Sequence, residues 1–196
     1  MNPANSFLLA SGSPRRRELL AMAGFSFVVH PTAADETLPP ATPSERACQL
    51  LARRKAAAAL PFSQEKLVVG ADTLVDVDGL ILGKPATAGQ AEQMLSLLSG
   101  RTHCVYTGVC LRTQEWEDTF FCRTFVTFEP LSQQEIRNYI DTGEPMDKAG
   151  GYGIQGRGAL LVRQIEGDYY NVVGFPLSQF YRRLCAFPPK NSTAAP

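Results

Sequence analysis

The sequence predicts an α/β or α+β fold. Three observations point there. Segments of strand character alternate along the chain with segments of helical period. The helical segments are bounded by recognisable capping and stop residues. Of the 196 residues, 44% are hydrophobic and 19% are charged, a globular balance with enough apolar material for a core without disulfide or metal staples. At about 100–200 residues per domain, the length fits one domain or two small lobes. Residues 1–187 read as that domain and 188–196, rich in Pro, Ser and Ala, as a disordered tail.

Phe7 to Ala10 is a short apolar run, expected as a buried strand. Ser11-Gly12-Ser13 makes a polar turn, Ser13 and Pro14 suit the N-cap and first helical position, and the helix through Ala23 stops at Gly24. Phe25 to His30 is a second strand and Pro31 to Thr42 a loop. Thr42 and Glu45 have capping-box spacing, so a helix is expected to about Leu60, with Ala47, Leu50, Leu51 and Ala58 on its apolar stripe. Leu67 to Ala71 and Thr73 to Val77 are strand-like on either side of Asp72. Asp78-Gly79 then predicts a type I′ hairpin into Leu80 to Leu82. Thr87 and Gln90 cap a helix carrying Ala91, Met94, Leu95 and Leu98 at i, i+3, i+4 and i+7, closed by Gly100. Thr102 to Leu111 and Thr119 to Phe128 form an antiparallel pair, and Ser132 and Glu135 box the next helix. Glu144 to Gly158 is a glycine-rich loop. Leu160 to Ile165 and Tyr169 to Val173 flank a turn, and Pro176 opens a last helix with Leu177, Phe180, Tyr181 and Leu184 on one face.

Composition removes several function classes. Nineteen Lys+Arg balance nineteen Asp+Glu, so the chain lacks the electrostatic footprint of a duplex nucleic-acid binder. No apolar run approaches the ~20 residues that span a bilayer, and Phe7 to Ala10 is too short for the about 7–15 residues of a signal-peptide core. The five cysteines form no C-x-x-C pair and only His30 and His103 accompany them, which argues against zinc and for buried free thiols in a reducing cytoplasm.

Four segments carry candidate chemistry. Ser11 to Arg17 places a small-residue turn and three arginines at a helix N-terminus. Cations there are unfavourable unless an anion binds in front of them, so the segment is either a phosphate cradle or an ordinary start with solvated arginines. Asp72 interrupts an apolar, β-rich run, where a carboxylate suits a metal ligand or general base at a cleft, or a turn that bonds its own backbone. Asp35 and Glu36 could join Asp72 as oxygen ligands for Mg²⁺ or Mn²⁺, or be a solvated acidic loop. Lys55 lies on the edge of its helix's stripe, Arg54 nearer the middle, and Lys84 precedes Pro85 in extended chain; each lysine taken singly reads as a surface charge. Asp147 to Gly158 is glycine-dense enough for close approach to a ligand, without the strand–turn–helix setting of a dinucleotide fingerprint. In it Gln155 offers donor and acceptor atoms for a base edge, and Tyr152 either stacks on a ligand or packs.

Taken together and in this order, Leu9-Ala10-Ser11-Gly12-Ser13-Pro14-Arg15-Arg16, Val69-Gly70-Ala71-Asp72-Thr73, Gly83-Lys84-Pro85 and Asp147 to Gly156 resemble the Maf family of nucleoside triphosphate pyrophosphatases, across roughly Phe7 to Leu184. The resemblance implies an α/β fold with an elongated, Maf/ITPase-like mixed sheet and two lobes flanking a cleft. It also implies cleavage of a nucleoside triphosphate between the α and β phosphates with a divalent metal, Mg²⁺ or Mn²⁺. By position, Asp72 matches the proposed catalytic base. Ser11, Arg16, Lys55 and Lys84 match residues assigned to the phosphates and the cleft, and Glu36 a cleft carboxylate that would share the metal with Asp72. Arg15, Thr73 and Gln155 match positions linked to base choice. Tyr-Gly-Ile-Gln-Gly resembles the subgroup preferring dTTP and UTP, with modified pyrimidine nucleotides as further substrates; another subgroup acts on 7-methyl-GTP. Arg17, and Arg54 where an acid is common, depart from the pattern.

The implied chemistry is metal-assisted attack of water on the α-phosphorus, with Arg15, Arg16, Lys84 and loop N–H groups spreading the triphosphate charge. Whether Asp72 is base or ligand stays open. The competing expectations are the same reaction on another base, or a nucleotide-binding regulator that does not hydrolyse. A cytoplasmic enzyme with no membrane partner is expected; a homodimer is compatible, but no stretch marks an interface.

Overall fold

In a computed structural model the chain is described over residues 6–64 and 66–187; the expected tail at 188–196 lies outside the described residues. Strand β1 (Phe7–Ala10) is buried at every position because both its faces are covered. Phe7 and Leu9 point into one core, and Leu8 and Ala10 into another. It pairs in parallel with β2 (Phe27–Val29) on one side and β3 (Val68–Val77) on the other. Beyond β3 the sheet is antiparallel through β5 (Thr102–Arg112), β6 (Glu117–Phe128) and β7 (Val162–Glu166), and β4 (Leu80–Leu82) hairpins back onto β3. The result is a seven-stranded mixed sheet in the order β2-β1-β3-β5-β6-β7.

The sequence signals account for most element ends. Asp78 and Gly79 have φ of +54° and +82°, the left-handed pair a type I′ turn needs. Helix α4 (Gln133–Ile140) starts on a complete capping box of Ser132 and Glu135. Helix α3 (Ala88–Leu98) is half-boxed: Thr87 accepts from Gln90 N, but Gln90 Oε1 takes Ala86 N instead of the cap residue. Helix α1 (Pro14–Met22) starts after Ser13, whose side chain caps nothing. Ser11 Oγ accepts from Ser13 N in its place.

Three expectations are corrected. Helix α2 (Ser44–Ala59) has Pro43 at its cap and no capping box, because the Thr42 hydroxyl donates to Pro39 O in the turn before it. Its buried stripe is Ala47, Cys48, Leu51, Ala52, Ala56 and Ala59, and Ala58 is exposed. Tyr169–Val173, expected as strand, is a short helix, α5, capped by the Asp168 side chain and ended by Gly174. Of the cysteines, Cys48, Cys110 and Cys122 are buried free thiols, but Cys104 is half-buried and Cys185 exposed. Burial raises the Cys48 thiol to about 12 and those of Cys110 and Cys122 to about 11, so these three stay protonated at neutral pH.

Helix α2 covers one sheet face. The other face carries two separate apolar cores. One packs Leu9, Val69, Ala71 and Val109 against α1, against Phe180 of α6 (Leu177–Cys185) and against Phe175 just before that helix. The second packs Val75, Val77, Val105 and Val126 against Leu95 and Leu98 of α3 and Ile136 of α4. Each large side chain so buried contributes roughly 1.5–3 kcal/mol. Between the two cores runs a line of buried polar residues, Arg16, Thr107, Thr124 and Asn171. Among the described residues no helix is long and apolar enough to cross a membrane.

Candidate active site

The register makes a notch. β1 pairs with β3 only as far as Gly70, and β4 rejoins β3 only at Val75. Ala71 to Leu74 are therefore without a strand partner on that side, while β5 pairs with all four on the other. The Ser11–Ser13 turn leaves from one wall of the notch and Gly83-Lys84 from the opposite wall. A break in a sheet edge at the carboxyl end of a parallel strand is where α/β folds bind ligands.

Asp72 and Thr73 occupy the notch and, as neighbours on a strand, point to opposite faces. Asp72 faces α2, which rides unusually low on the sheet there. A Cβ on Gly70 would meet Ala52 O at 2.3 Å, and one on Gly108 would meet Cys48 O at 2.3 Å. Gly108 is the residue opposite Asp72 in register, so missing side chains on both sides of the acid let α2 descend. That descent brings Lys55 Nζ to 2.5 Å from Asp72 Oδ1 and 2.7 Å from Glu36 Oε1. One ammonium thus bridges two carboxylates. Asp72 and Lys55 side chains are only 12% and 14% exposed, whereas Glu36 is 63% exposed. The Lys55 hydrogen bond holds the Glu36 carboxyl below the usual range, helped by the charges of Lys84 and Arg16. Lys84, two residues past the end of β4, is exposed, and its charge adds to the lowering of Glu36.

Thr73 faces the other way, toward Arg16. The buried guanidinium donates from Nε to Gly174 O at 2.9 Å, from one terminal nitrogen to Ser11 Oγ at 3.1 Å and from the other to Thr73 Oγ1 at 3.0 Å. Burial pulls Arg16 below the ordinary arginine value and Asp72 partly restores it. With three of five N–H donors used inside the protein, Arg16 has two left for a ligand. Thr73 Oγ1 lies 2.9 Å from Thr107 Oγ1, which donates to Asn171 O at 3.1 Å. Thr73 Oγ1 also lies 3.4 Å from Gly174 O, so its one proton has two acceptors within reach, and its lone pairs are free to accept from Arg16. The Asn171 side chain donates to Val105 O and Thr124 Oγ1, both at 3.0 Å.

Ser11 Oγ accepts two hydrogen bonds and keeps its own proton available. No side chain caps α1, so its first-turn N–H groups are open to an anion. Arg15 is not free: it donates to Asp147 Oδ2 at 2.9 Å, and Lys148 Nζ lies 2.6 Å from Asp147 Oδ1. Although burial raises the Asp147 carboxyl, the bonds from Lys148 and Arg15 bring it below the ordinary value. The glycine-rich segment folds as three short 3₁₀ turns at Glu144–Asp147, Ala149–Gly151 and Gly156–Leu161. Gly150 N donates to Gly83 O, tying the segment to the Lys84 wall. Gln155 is exposed on it, and Arg17 points to solvent. Tyr152 packs: it is buried, with its hydroxyl 2.7 Å from His103 Nε2 and its ring edge-on to Phe128.

The structure brings Ser11, Arg16, Glu36, Lys55, Asp72, Thr73 and Lys84 to one notch, with Arg15 linked to its rim. Sequence reasoning gave no role to Glu144, Asp147, Thr107 or Asn171. Glu144 organises the glycine segment by accepting from Tyr139 OH, Arg157 N and Gly158 N at 3.0–3.1 Å. Only the glycine density beside Glu144 and Asp147 signalled them; nothing local marked Thr107 or Asn171.

The donor set suits a hard divalent cation. Two carboxylates converge on one cationic point with no soft ligand, and Asp72 Oδ2 and Glu36 Oε2 lie outside the Lys55 bridge. Among the described residues no group of three His, Cys, Asp or Glu forms a cage. Magnesium commonly completes such a two-carboxylate shell from substrate phosphates and water.

Comparison with known proteins gives a consistent picture. The Maf-like protein family matches residues 6–187. A protein named dTTP/UTP pyrophosphatase from Bacillus cytotoxicus is 50% identical over 181 residues, covering 92% of this chain and 95% of that protein. One of the same name from Bacillus pumilus is 47% identical over 183 residues, covering 93% and 97%. The Staphylococcus aureus Ham1 protein structure aligns over 79% of this chain and 78% of its own at 14% identity and a TM-score of 0.48, too distant to bear on the chemistry.

Proposed function

The chain belongs to the Maf-like protein family, and on that premise we propose that it is a nucleoside triphosphate pyrophosphatase hydrolysing dTTP and UTP to the monophosphate and pyrophosphate. The identity of about half over nearly the whole length to proteins bearing that activity in their name supports the substrate. The observation that carries the chemistry is the notch itself, where one buried acid is paired with Lys55 and lies in the field of Arg16, with Lys84 on the facing wall.

In this reading the triphosphate lies across the notch. Ser11 donates its hydroxyl proton to a phosphate oxygen, and the open N–H groups of α1 and the two spare N–H donors of Arg16 take others. Arg15 exchanges its Asp147 partner for the substrate. Asp72 uses Oδ2 to accept a proton from water as that water attacks the α-phosphorus, and the bond from that phosphorus to the α–β bridging oxygen breaks. The monophosphate keeps the water oxygen and pyrophosphate leaves with the electron pair of the broken bond. Lys55 and Lys84 offset the charge gathering on the leaving group. Mg²⁺ or Mn²⁺ held by Glu36 and by Asp72 through Oδ1, in place of its Lys55 contact, would supply the remaining charge neutralisation and leave Oδ2 for the water proton. Gln155 reads the base edge.

The test is pyrophosphate release from a panel of ribo-, deoxy- and 7-methylated triphosphates with Mg²⁺ and with Mn²⁺. The expected result is metal-dependent release fastest from dTTP and UTP. Preference for 7-methyl-GTP would overturn the base assignment. Tight nucleotide binding without release would replace the enzyme with a nucleotide-binding regulator.

A further inference from the structure

We propose that Arg54 is a positioning residue, which fixes Glu36 in the site by clamping the backbone on both sides of it. Residues 31–42 contain no helix or strand, so nothing in their own backbone pairing sets where Glu36 stands. The Thr37 N–H donates to Asp35 Oδ1 at 2.9 Å, which turns the chain at Glu36. Arg54 then closes on that turn from α2. A single terminal nitrogen donates to Asp35 O at 3.0 Å and to Thr37 O at 2.6 Å, and lies 3.6 Å from Asp35 Oδ2. The two carbonyls are those of the residues immediately before and after Glu36. The next residue on the helix, Lys55, holds the Glu36 carboxylate.

Adjacent helical residues project about 100° apart, so Arg54 grips the backbone while Lys55 grips the side chain. The second grip alone is an ion pair to a carboxylate 63% exposed, and such pairs hold geometry poorly. The clamp therefore decides whether Glu36 stays where it can share a cation with Asp72. Arg54 itself touches neither substrate nor metal in this arrangement.

The inference rests on the pyrophosphatase reading for its kinetic consequence but not for its structural one, and the experiment separates the two. Arg54→Met and Arg54→Lys are compared with the unchanged chain and with Glu36→Gln. Neither Arg54 variant touches the buried stripe of α2, so the fold is retained. Amide hydrogen exchange over residues 33–38, measured without metal or nucleotide, is expected to speed up in Arg54→Met and less in Arg54→Lys. The Mg²⁺ concentration giving half-maximal pyrophosphate release is expected to rise about tenfold in Arg54→Met, the usual cost of losing a support behind a metal-binding group, with a smaller change in kcat at saturating Mg²⁺. In the Glu36→Gln background, Arg54→Met adds no further shift. Unchanged exchange over 33–38 would overturn the clamp. An undiminished Mg²⁺ effect of Arg54→Met on top of Glu36→Gln would show that Arg54 acts by some route other than Glu36, and would also overturn it. A parent chain that releases no pyrophosphate would remove the functional reading, and the exchange result would still decide the clamp.

Discussion

Asp72 and Thr73 are neighbours in sequence, yet they open onto opposite chemistries. On the α2 face the acid meets Lys55 and, through it, Glu36, in charged contacts that lean toward solvent. On the other face Thr73 belongs to a buried hydrogen-bond line from Arg16 through Thr107 to the Asn171 backbone. Apart from Arg16 its members are uncharged, and His103 further along the same strand face is buried as well. The ionic face can exchange partners, because a bound cation or phosphate can take over charge that Lys55 now balances. The buried face exchanges little, because most of its donors and acceptors are already paired inside the protein. The comparison separates a part that reacts from a part that holds the reacting part still.

The largest expected effect breaks the ionic face. Asp72→Asn keeps the shape and removes the charge, and turnover is expected to fall on the order of 10²–10⁴-fold, the range for losing a general base. Calorimetry should still detect nucleotide binding. Near-normal pyrophosphate release would sink the assignment.

The next breaks the uncharged face by charging it. Burial lowers His103 from 6.5 to about 4. The unfolded chain then takes up a proton on His103 at a higher pH than the folded one does. Its contribution to stability is full above pH 6.5 and is lost as pH falls toward about 4, on the order of 3 kcal/mol across that window. Urea denaturation between pH 7 and 4.5 should show the decline, and His103→Gln should flatten it. Glu36, held below the usual carboxylate range, keeps its contribution above pH 4.5 and loses it only as pH falls through its lowered value. Acid is therefore felt on the uncharged face first.

Thr107→Val sharpens the contrast. It removes one hydrogen bond from Asn171 O, which keeps the one from Gly174 N, and one from Thr73 Oγ1, which keeps Arg16, and a loss of about 1 kcal/mol in unfolding free energy is expected. Because this face holds no carboxylate, the Mg²⁺ dependence should stay where it was, and Thr107→Ser should recover most of the stability. A Mg²⁺ shift as large as that of Glu36→Gln would merge the two faces into one unit. The smallest effect is Gln155→Ala. Loss of one base contact worth about 0.5–1.5 kcal/mol should narrow the preference for dTTP over dCTP by roughly two- to tenfold, read as a ratio of kcat/KM. An unchanged ratio would remove Gln155 from base recognition.

Much of this was legible in the residues. Local rules identified the β1 run, the Asp78-Gly79 turn and the Ser132–Glu135 box because each depends on a few neighbouring side chains and backbone angles. Asp72 stood out as a carboxylate in an apolar strand. Other features answered to distant parts of the chain. Tyr169–Val173 is β-rich in composition, but the Asp168 cap and the burial of Asn171 against β5 and β6 turn it into a helix. Thr42 carried capping-box spacing, yet its hydroxyl was taken by Pro39. Arg54, which fell near the middle of an expected apolar stripe, instead reaches across to the Asp35–Thr37 turn.

By itself the sequence determined the alternation of strand and helix, the position of the turns and the identity of the charged groups available for chemistry, because those follow from local sterics, periodicity and side-chain type. The tertiary structure alone decided which of those charges meet. Gly70 and Gly108 have no side chain to hold α2 away from the sheet, β1 and β4 stop short of each other along β3, and from those two gaps come the Lys55–Asp72 contact and the notch around it.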